Sequence, residues 1–227
     1  LAWYTEVNKY WESPLNERWL EVSVGLIRAF CELGGKHVTV AGSCAEYGSP
    51  QAICIEDETP VSPQSPYGQA KDDLRRIAME ICACYEATLC WCRIFFPYGI
   101  GEPKEKLIPS LIAALRGEIE PFGVAEDGVR DFIHADDVGQ AIATLVTTAS
   151  GGVFNISTGV PVVIGELVAL TASILNADTG MIFRHQPPAG RQVGTLLGNN
   201  EKLKRLGWEP KVSLTQGLDL LCRVSAS

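Results

Sequence analysis

Residues 37–48, HVTVAGSCAEYG, and residues 65–71, SPYGQAK, decide the fold of this chain. The first stretch opens with a short β-branched run, which is typical of a buried parallel strand, and Ser43 stands where that strand should end. The second stretch opens with a serine–proline pair, which makes a good N-cap and first turn for a helix. On that helix Tyr67 and Lys71 are four residues apart, so both side chains lie on one face.

The side chains of Ser43, Tyr67 and Lys71 form a candidate acid–base site. The phenol and the ammonium would project into one cleft, and a lysine beside a tyrosine favours the phenolate. We therefore expect the pKa of Tyr67 to be lowered toward a value that is useful for proton transfer. The hydroxyl of Ser43 can hold the substrate oxygen that gains or loses the proton. A tyrosine and a lysine at this spacing are a weak pattern by themselves, because an ordinary exposed helix also produces it.

Strand and helix patterns alternate on both sides of this site. Residues 14–33 carry apolar side chains at helical spacing, and two glycines follow them. Residues 48–64 are rich in proline, serine and acidic residues, which predicts a loop beside the active site. The second helix should extend to about residue 86, and residues 88–95 are the next predicted strand. This alternation predicts right-handed crossovers and a parallel sheet.

The second half of the chain continues with shorter elements. Its predicted helices cover residues 107–116, 136–147 and 164–175 and a final segment after Ser213, and its predicted strands cover residues 129–133 and 153–156.

Composition excludes several classes of protein. The 227 residues are 46% hydrophobic and 20% charged, and the formal net charge is −8. An acidic balance argues against a nucleic-acid or anionic-membrane partner, since both require basic patches. No apolar run approaches the roughly 18 residues of a membrane-spanning helix, and residues 1–14 show no signal peptide. We therefore expect a cytoplasmic protein.

The cysteine pattern argues against a metal site. The chain contains no C-x-x-C motif, and its C-x-C pairs lie in stretches that should be helix and strand. Reduced, buried thiols are the simpler interpretation. The eight cysteines are Cys31, Cys44, Cys54, Cys82, Cys84, Cys90, Cys92 and Cys222.

Several motifs occur in a recognisable order. AGSCAEYG is followed by SPYGQAK, CRIFFPYGIGEP and VRDFIHADDV, and this order resembles the extended short-chain dehydrogenase/reductases, the nucleotide-sugar epimerase/dehydratase family. The resemblance implies a doubly wound, Rossmann-type α/β fold with a parallel sheet, partial in this chain, and a small C-terminal α/β substrate domain. Residues 1–98 would be the remainder of the dinucleotide-binding domain. Residues 99–227 would be mainly the substrate domain, with segments that return to the first domain.

The glycine-rich turn of that family is not found in this sequence. Members of the family begin with a strand and a G-x-x-G-x-x-G turn that seats the cofactor pyrophosphate at a helix N-terminus. Residues 1–3 instead resemble the end of the family's fourth strand. We interpret the sequence as part of a larger protein, and we expect this chain by itself to be inactive and to bind the cofactor weakly.

The resemblance also assigns roles to individual residues. NAD or NADP would be the cofactor, a nucleotide sugar the substrate, and a homodimer the assembly. A guanidinium suits a diphosphate because its donors form a fork, although a salt bridge from Arg130 to Asp131 or Asp137 is an alternative. The implied catalytic residues are Ser43, Tyr67 and Lys71; the cofactor contacts are Ala2, Tyr67, Lys71 and Pro97; the substrate contacts are Ser43, Arg130 and Arg191.

Departures from the family pattern narrow the reaction. The family's dehydratases have an Asp-Glu pair where this chain has Cys44 and Ala45, so dehydration is not expected. Glu46 is adjacent, but on an extended chain it should point to the opposite face. Phe96 replaces an asparagine that contacts substrate in many members. NAD(P)-dependent reduction or epimerisation of a nucleotide-linked keto-sugar is our interpretation; an inactive member that acts as a binding or regulatory module is the alternative.

Overall fold

The computed structural model describes residues 3–48, 52–186 and 194–224. Its strands are β1 (His37–Ser43), β2 (Ala52–Cys54), β3 (Thr88–Ile94), β4 (Phe96–Tyr98), β5 (Val129–Arg130), β6 (Phe132–His134), β7 (Gly152–Ile156), β8 (Val162–Val163) and β9 (Thr195–Gly198). Its α-helices are α1 (Leu15–Glu32), α2 (Pro66–Cys84), α3 (Leu107–Leu115), α4 (Ala135–Thr147), α5 (Ile164–Leu175), α6 (Gly180–Phe183), α7 (Glu201–Lys204) and α8 (Leu214–Val224). Two 3-10 helices cover Tyr10–Glu12 and Cys44–Tyr47.

The central sheet is parallel and has the order β1-β3-β7. Successive side chains of β3 point to opposite faces of the sheet. Trp91 packs with Ile27 and Leu74 of α1 and α2 on one face. Cys92 packs with Leu145 of α4 on the other face. Helices on both faces of a parallel sheet confirm the predicted doubly wound α/β fold.

Two further sheets and a second hydrophobic core follow. Strands in the order β2-β9-β5-β8 form a four-stranded sheet, and β4 pairs with β6. Helices α3, α5 and α8 pack together through apolar side chains that include Leu111, Leu167 and Leu218. Strand β7 belongs to the central sheet although it lies between β6 and β8 in the sequence, so the chain crosses between the two regions.

The structure corrects two predicted elements. The predicted loop of residues 48–64 contains β2, which pairs in parallel with β9. This pairing joins segments that are distant in the sequence, so local composition does not reveal it. The predicted strand of residues 129–133 is two strands, which are separated at Asp131. The buried carboxylate of Asp131 accepts hydrogen bonds from the backbone N–H groups of Thr158, Gly159 and Gly198.

Two absences hold for the described parts of the chain. Their helices include none that is both long enough and apolar enough to cross a membrane. Their histidine, cysteine and acidic side chains form no cluster of three or more that could hold a metal ion.

Candidate active site

Ser43 lies at the carboxyl end of β1, where the chain turns into the second 3-10 helix. Its Oγ accepts a hydrogen bond from the N–H of Ala45 at 3.2 Å. Its own N–H donates to Oε1 of Glu46 at 2.8 Å. These reciprocal bonds form a capping box, which satisfies the donors at the start of the turn and fixes the position of Ser43.

The start of α2 lies directly against this turn. Ser65 caps the helix, because its Oγ accepts a hydrogen bond from the N–H of Gly68 at 3.1 Å. A Cβ on Gly68 would lie 2.8 Å from the carbonyl oxygen of Ala45, so only glycine permits so close an approach. The approach brings Tyr67 close enough to Ser43 for the serine side chain to lower the pKa of the phenol.

Lys71 lies one turn further along α2 and is only 4% exposed. Its Nζ donates to the carbonyl oxygen of Ala41 at 3.0 Å. The same atom lies 4.0 Å from the ring centroid of Trp3 and 5.8 Å from that of Tyr67. Burial lowers the pKa of Lys71 to about 8, and the negative charge of Glu46 opposes this effect.

The pKa of Tyr67 differs from the sequence expectation. Burial raises it to about 12, and the side chain of Ser43 only partly offsets the increase. The expectation of a lowered pKa was therefore wrong. The ammonium of Lys71 is directed to the carbonyl oxygen of Ala41, so its charge does not dominate at the phenol.

An aromatic cluster explains the burial of the phenol. Tyr10 and Trp11 meet the ring of Tyr67 edge-on, with centroids 4.9 and 5.4 Å away, and Trp3 does so at 6.4 Å. Sequence reasoning missed this cluster, although four aromatic residues within positions 3–11 were a visible signal. These rings enclose one side of the site.

Arg130 lies in β5. Its Nη1 donates to the carbonyl oxygens of Val129 and Gly194, and its guanidinium lies 5.4 Å from the ring centroid of Phe96. Its positive charge acts on the thiol of Cys44, which follows Ser43 directly. Arg130 and the serine therefore belong to the same region of the molecule.

The two acids proposed as alternative partners of Arg130 bond elsewhere. Asp131 accepts the hydrogen bonds from the Thr158–Gly159 segment and Gly198. Asp137 accepts the backbone N–H groups of Lys211 and Val212 at 2.9 and 3.0 Å. Both carboxylates thus fix the course of the backbone.

The remaining predicted contacts are less informative. Pro97 is exposed in β4, between Phe96 and Tyr98. Ala2 and Arg191 lie outside the described residues, so their predicted roles have no structural account.

Cys44 is buried beside Ser43. Burial raises the pKa of its thiol far above the usual range, so the thiol stays protonated and is a poor nucleophile or base. Neither Cys44 nor Ala45 supplies a carboxylate to the site.

The structure corrects the expected direction of Glu46. Residues 44–47 form a 3-10 helix rather than an extended segment, so the carboxylate turns back beneath the end of β1. It is fully buried, and it accepts hydrogen bonds from Nε of Arg93 at 2.8 Å and Nε1 of Trp91 at 2.9 Å.

Curated relatives of known activity match most of this chain. UDP-glucose 4-epimerase of Bacillus subtilis (strain 168) is 26% identical over 221 residues, which cover 87% of this chain and 63% of that enzyme. The dTDP-6-deoxy-L-talose 4-dehydrogenase (NAD(+)) of Aggregatibacter actinomycetemcomitans is 27% identical over 164 residues, covering 71% of this chain and 59% of that enzyme. The chain thus spans less than two thirds of the length of these relatives.

Solved structures agree with the fold. The structure of a double mutant of DesIV, a dTDP-glucose 4,6-dehydratase from Streptomyces venezuelae, was solved with NAD bound. It matches this chain with a TM-score of 0.83 and 25% identity, and the match covers 95% of this chain and 67% of that one. MoeE5 in complex with UDP-glucose and NAD matches with a TM-score of 0.79 and 30% identity, covering 91% of this chain and 71% of that one.

The model of the NAD dependent epimerase/dehydratase family matches residues 1–157, which is more than half of the chain. This match agrees with the arrangement of the sheet and with the similar enzymes and structures. The chain belongs to the NAD dependent epimerase/dehydratase family.

Proposed function

We propose that this chain carries the acid–base centre of an NAD(P)-dependent enzyme that reduces or epimerises a nucleotide-linked keto-sugar. The observation that supports the proposal is the close approach of the Ser43 turn to the start of α2, where the side chain of Ser43 acts on the phenol of Tyr67 and Lys71 lies one helical turn away. Two hydroxyls at the carboxyl edge of a parallel sheet can both contact one substrate oxygen.

The donor set fits the nicotinamide-ribose half of the cofactor. The buried ammonium of Lys71 has three donors, and the bond to Ala41 leaves it capacity for the hydroxyls of a ribose. Tyr67 and the exposed Pro97 are the other proposed contacts. The sequence contains no glycine-rich turn for the pyrophosphate, so these contacts account for only part of a binding site. A bound nicotinamide supplies hydride donation and acceptance.

The protonation of the site favours reduction. A phenol with a pKa of about 12 is protonated at neutral pH, so Tyr67 can donate its proton to a carbonyl oxygen as that oxygen becomes a hydroxyl. Ser43 holds the same oxygen by a hydrogen bond. A pKa of about 8 keeps Lys71 mostly charged at neutral pH, and its charge stabilises the phenolate that remains. Epimerisation would add the reverse step.

Arg130 is the proposed ligand of the substrate diphosphate, with Arg191 as a second proposed contact. Its place beside Phe96 and near Cys44 supports this role. Dehydration is not proposed, because Cys44 and Ala45 offer no carboxylate for the elimination of water.

The assembly that we propose is a cytoplasmic homodimer. The eight free thiols fit a reducing compartment. Apolar side chains along α1 that are exposed in this chain, among them Val22, Leu26 and Phe30, fit self-association. Sedimentation of the complete protein as a monomer would contradict the dimer.

The proposed reaction is tested by following cofactor absorbance with the complete protein and a panel of 4-keto nucleotide sugars. Tyr67→Phe removes the transferable proton and keeps the ring, so turnover should fall by on the order of 10² to 10⁴ while binding survives. Tyr85→Phe is the matched control, because its phenol bonds Glu32 outside the site. Unchanged turnover in Tyr67→Phe would refute the mechanism. Cofactor binding without turnover of any substrate would instead support the inactive binding module.

A further inference from the structure

We propose that Glu46 is a positioning residue of this site: its carboxylate fastens the turn that carries Ser43 to the neighbouring strand β3. The inference rests on the proposed function, because it concerns the same proton-transfer groups. Glu46 does not contact the reacting atoms itself. It acts through Ser43 and Lys71.

The contacts of the carboxylate join three parts of the fold. Oε1 accepts the N–H of Ser43 at 2.8 Å and Nε1 of Trp91 at 2.9 Å. Oε2 accepts Nε of Arg93 at 2.8 Å. The side chains of Glu46 and Arg93 are 0% and 1% exposed, so the pair is out of contact with water.

The packing leaves the carboxylate little room to move. A Cβ on Gly42 would lie 2.2 Å from Nε1 of Trp91 and 2.6 Å from Oε1 of Glu46, so the carboxylate and the indole lie directly against the backbone of β1. On the far side, the guanidinium of Arg93 lies 4.4 Å from the ring centroid of Tyr47. The carboxylate is therefore enclosed on both sides.

A buried ion pair needs a reason other than stability. Removing two charges from water costs about as much as their attraction returns, and apolar residues of similar volume often stabilise a protein as well or better. Here the pair of Glu46 and Arg93 lies beneath the end of β1, where the position of the backbone determines the position of the catalytic groups.

One short segment connects the pair to both catalytic side chains on α2. The carbonyl oxygen of Ala41 accepts a hydrogen bond from the ammonium of Lys71, and the side chain of Ser43 acts on the phenol of Tyr67. Glu46, three residues after Ser43, holds the same segment through its hydrogen bond from the N–H of Ser43. Its negative charge also acts directly on Lys71 and opposes the effect of burial.

The test is the variant Glu46→Gln in the complete protein, with the ammonium of Lys71 titrated by NMR. The substitution keeps the shape and removes the charge, so the pKa of Lys71 should fall below its wild-type value of about 8. With substrate, kcat should fall by on the order of 10- to 100-fold, with a smaller change in KM, because Ser43 is less precisely placed. The pH profile of kcat should shift with Lys71.

Asp137→Asn is the matched control. Asp137 is also fully buried and also accepts backbone N–H groups, those of Lys211 and Val212, but it lies in α4 outside the site. This variant should lose stability and leave the titration of Lys71 unchanged. A purely structural role for Glu46 would make the two variants behave alike, which would overturn the proposal.

A double variant, Glu46→Gln with Arg93→Met, avoids leaving a buried arginine without its partner. It should show the same lowered pKa of Lys71, because the charge acting on Lys71 is that of Glu46. An unchanged pKa in both variants would also overturn the proposal. Because the titration needs no substrate, it decides this inference even if the wild-type protein turns over none of the keto-sugars, a result that would count against the proposed function.

Discussion

Two regions of the molecule bury different kinds of side chain. They are the carboxyl edge of the central sheet and the core between α3, α5 and α8. At the sheet edge Glu46, Arg93 and Lys71 are buried charges, held by hydrogen bonds to the backbone and to each other. In the helical core no charged side chain is buried within the three helices, and aliphatic residues such as Leu111 and Leu167 fill the interior. The hydrogen bonds of the first region fix the orientation of its side chains, whereas the second region mainly contributes hydrophobic stabilisation.

The largest expected loss of stability comes from a substitution in the helical core. Leu167 is fully buried, so Leu167→Ala should lower the free energy of unfolding by roughly 2–5 kcal/mol. Leu220→Ala is the control, because Leu220 is 40% exposed in α8. Urea unfolding measures the difference. Turnover of the folded Leu167→Ala protein should equal that of the wild type; a loss of more than about tenfold, 1.4 kcal/mol in barrier, would contradict the separation of the two regions.

The buried ammonium of Lys71 predicts a pH-dependent stability. Its pKa is about 8 in the folded protein and 10.5 without perturbation, so between these values the folded protein binds fewer protons than the unfolded chain. The free energy of unfolding should therefore rise with pH within this window, by up to about 1.4 kcal/mol per pH unit.

Lys71→Met removes this contribution and keeps an unbranched side chain. Urea unfolding of both proteins at two pH values inside the window measures the effect. Equal slopes in the two proteins would show that Lys71 keeps an ordinary pKa in the fold.

Arg130 provides a smaller test on the substrate side. The contact that we propose between Arg130 and a diphosphate would be similar in the ground and transition states, so Arg130→Ala should raise KM by on the order of 10- to 100-fold with little change in kcat. Arg205→Ala, which changes an exposed arginine after α7, is the control. A fall in kcat at constant KM would place Arg130 in the chemistry instead.

The smallest expected signal is the binding of NAD to the 227-residue chain alone. We propose Tyr67, Lys71 and Pro97 as contacts of the nicotinamide-ribose half only, and the sequence contains no glycine-rich turn for the pyrophosphate. Calorimetry should detect no binding in the micromolar range. Micromolar affinity would show that the residues described here are sufficient for the cofactor.

Local signals in the sequence predicted most of the central sheet and the placement of Ser43, Tyr67 and Lys71, the candidate catalytic side chains. The β-branched run predicted β1, and the serine–proline pair predicted the start of α2. The structure confirms both elements within a few residues, because both depend on neighbours in the sequence. The spacing of Tyr67 and Lys71 followed from the helix.

Features that depend on distant contacts could not be predicted. Strand β2 exists through its pairing with β9, and the direction of Glu46 depends on Trp91 and Arg93 of the next strand. The raised pKa of Tyr67 comes from burial among aromatic rings of the N-terminal segment. The spacing of Tyr67 and Lys71 on one face of the helix had instead suggested a lowered pKa for the phenol.

The protonation state of Tyr67 tests the central claim most directly, because the account requires a protonated phenol that is ready to donate. NMR of tyrosines labelled at the phenolic carbon follows this group without substrate, and Tyr67→Phe assigns its resonance. We expect that Tyr67 does not titrate below its ordinary pKa of 10.0, since burial raises the value to about 12. A midpoint below 10.0 would show that Lys71 dominates the phenol, and it would contradict the account.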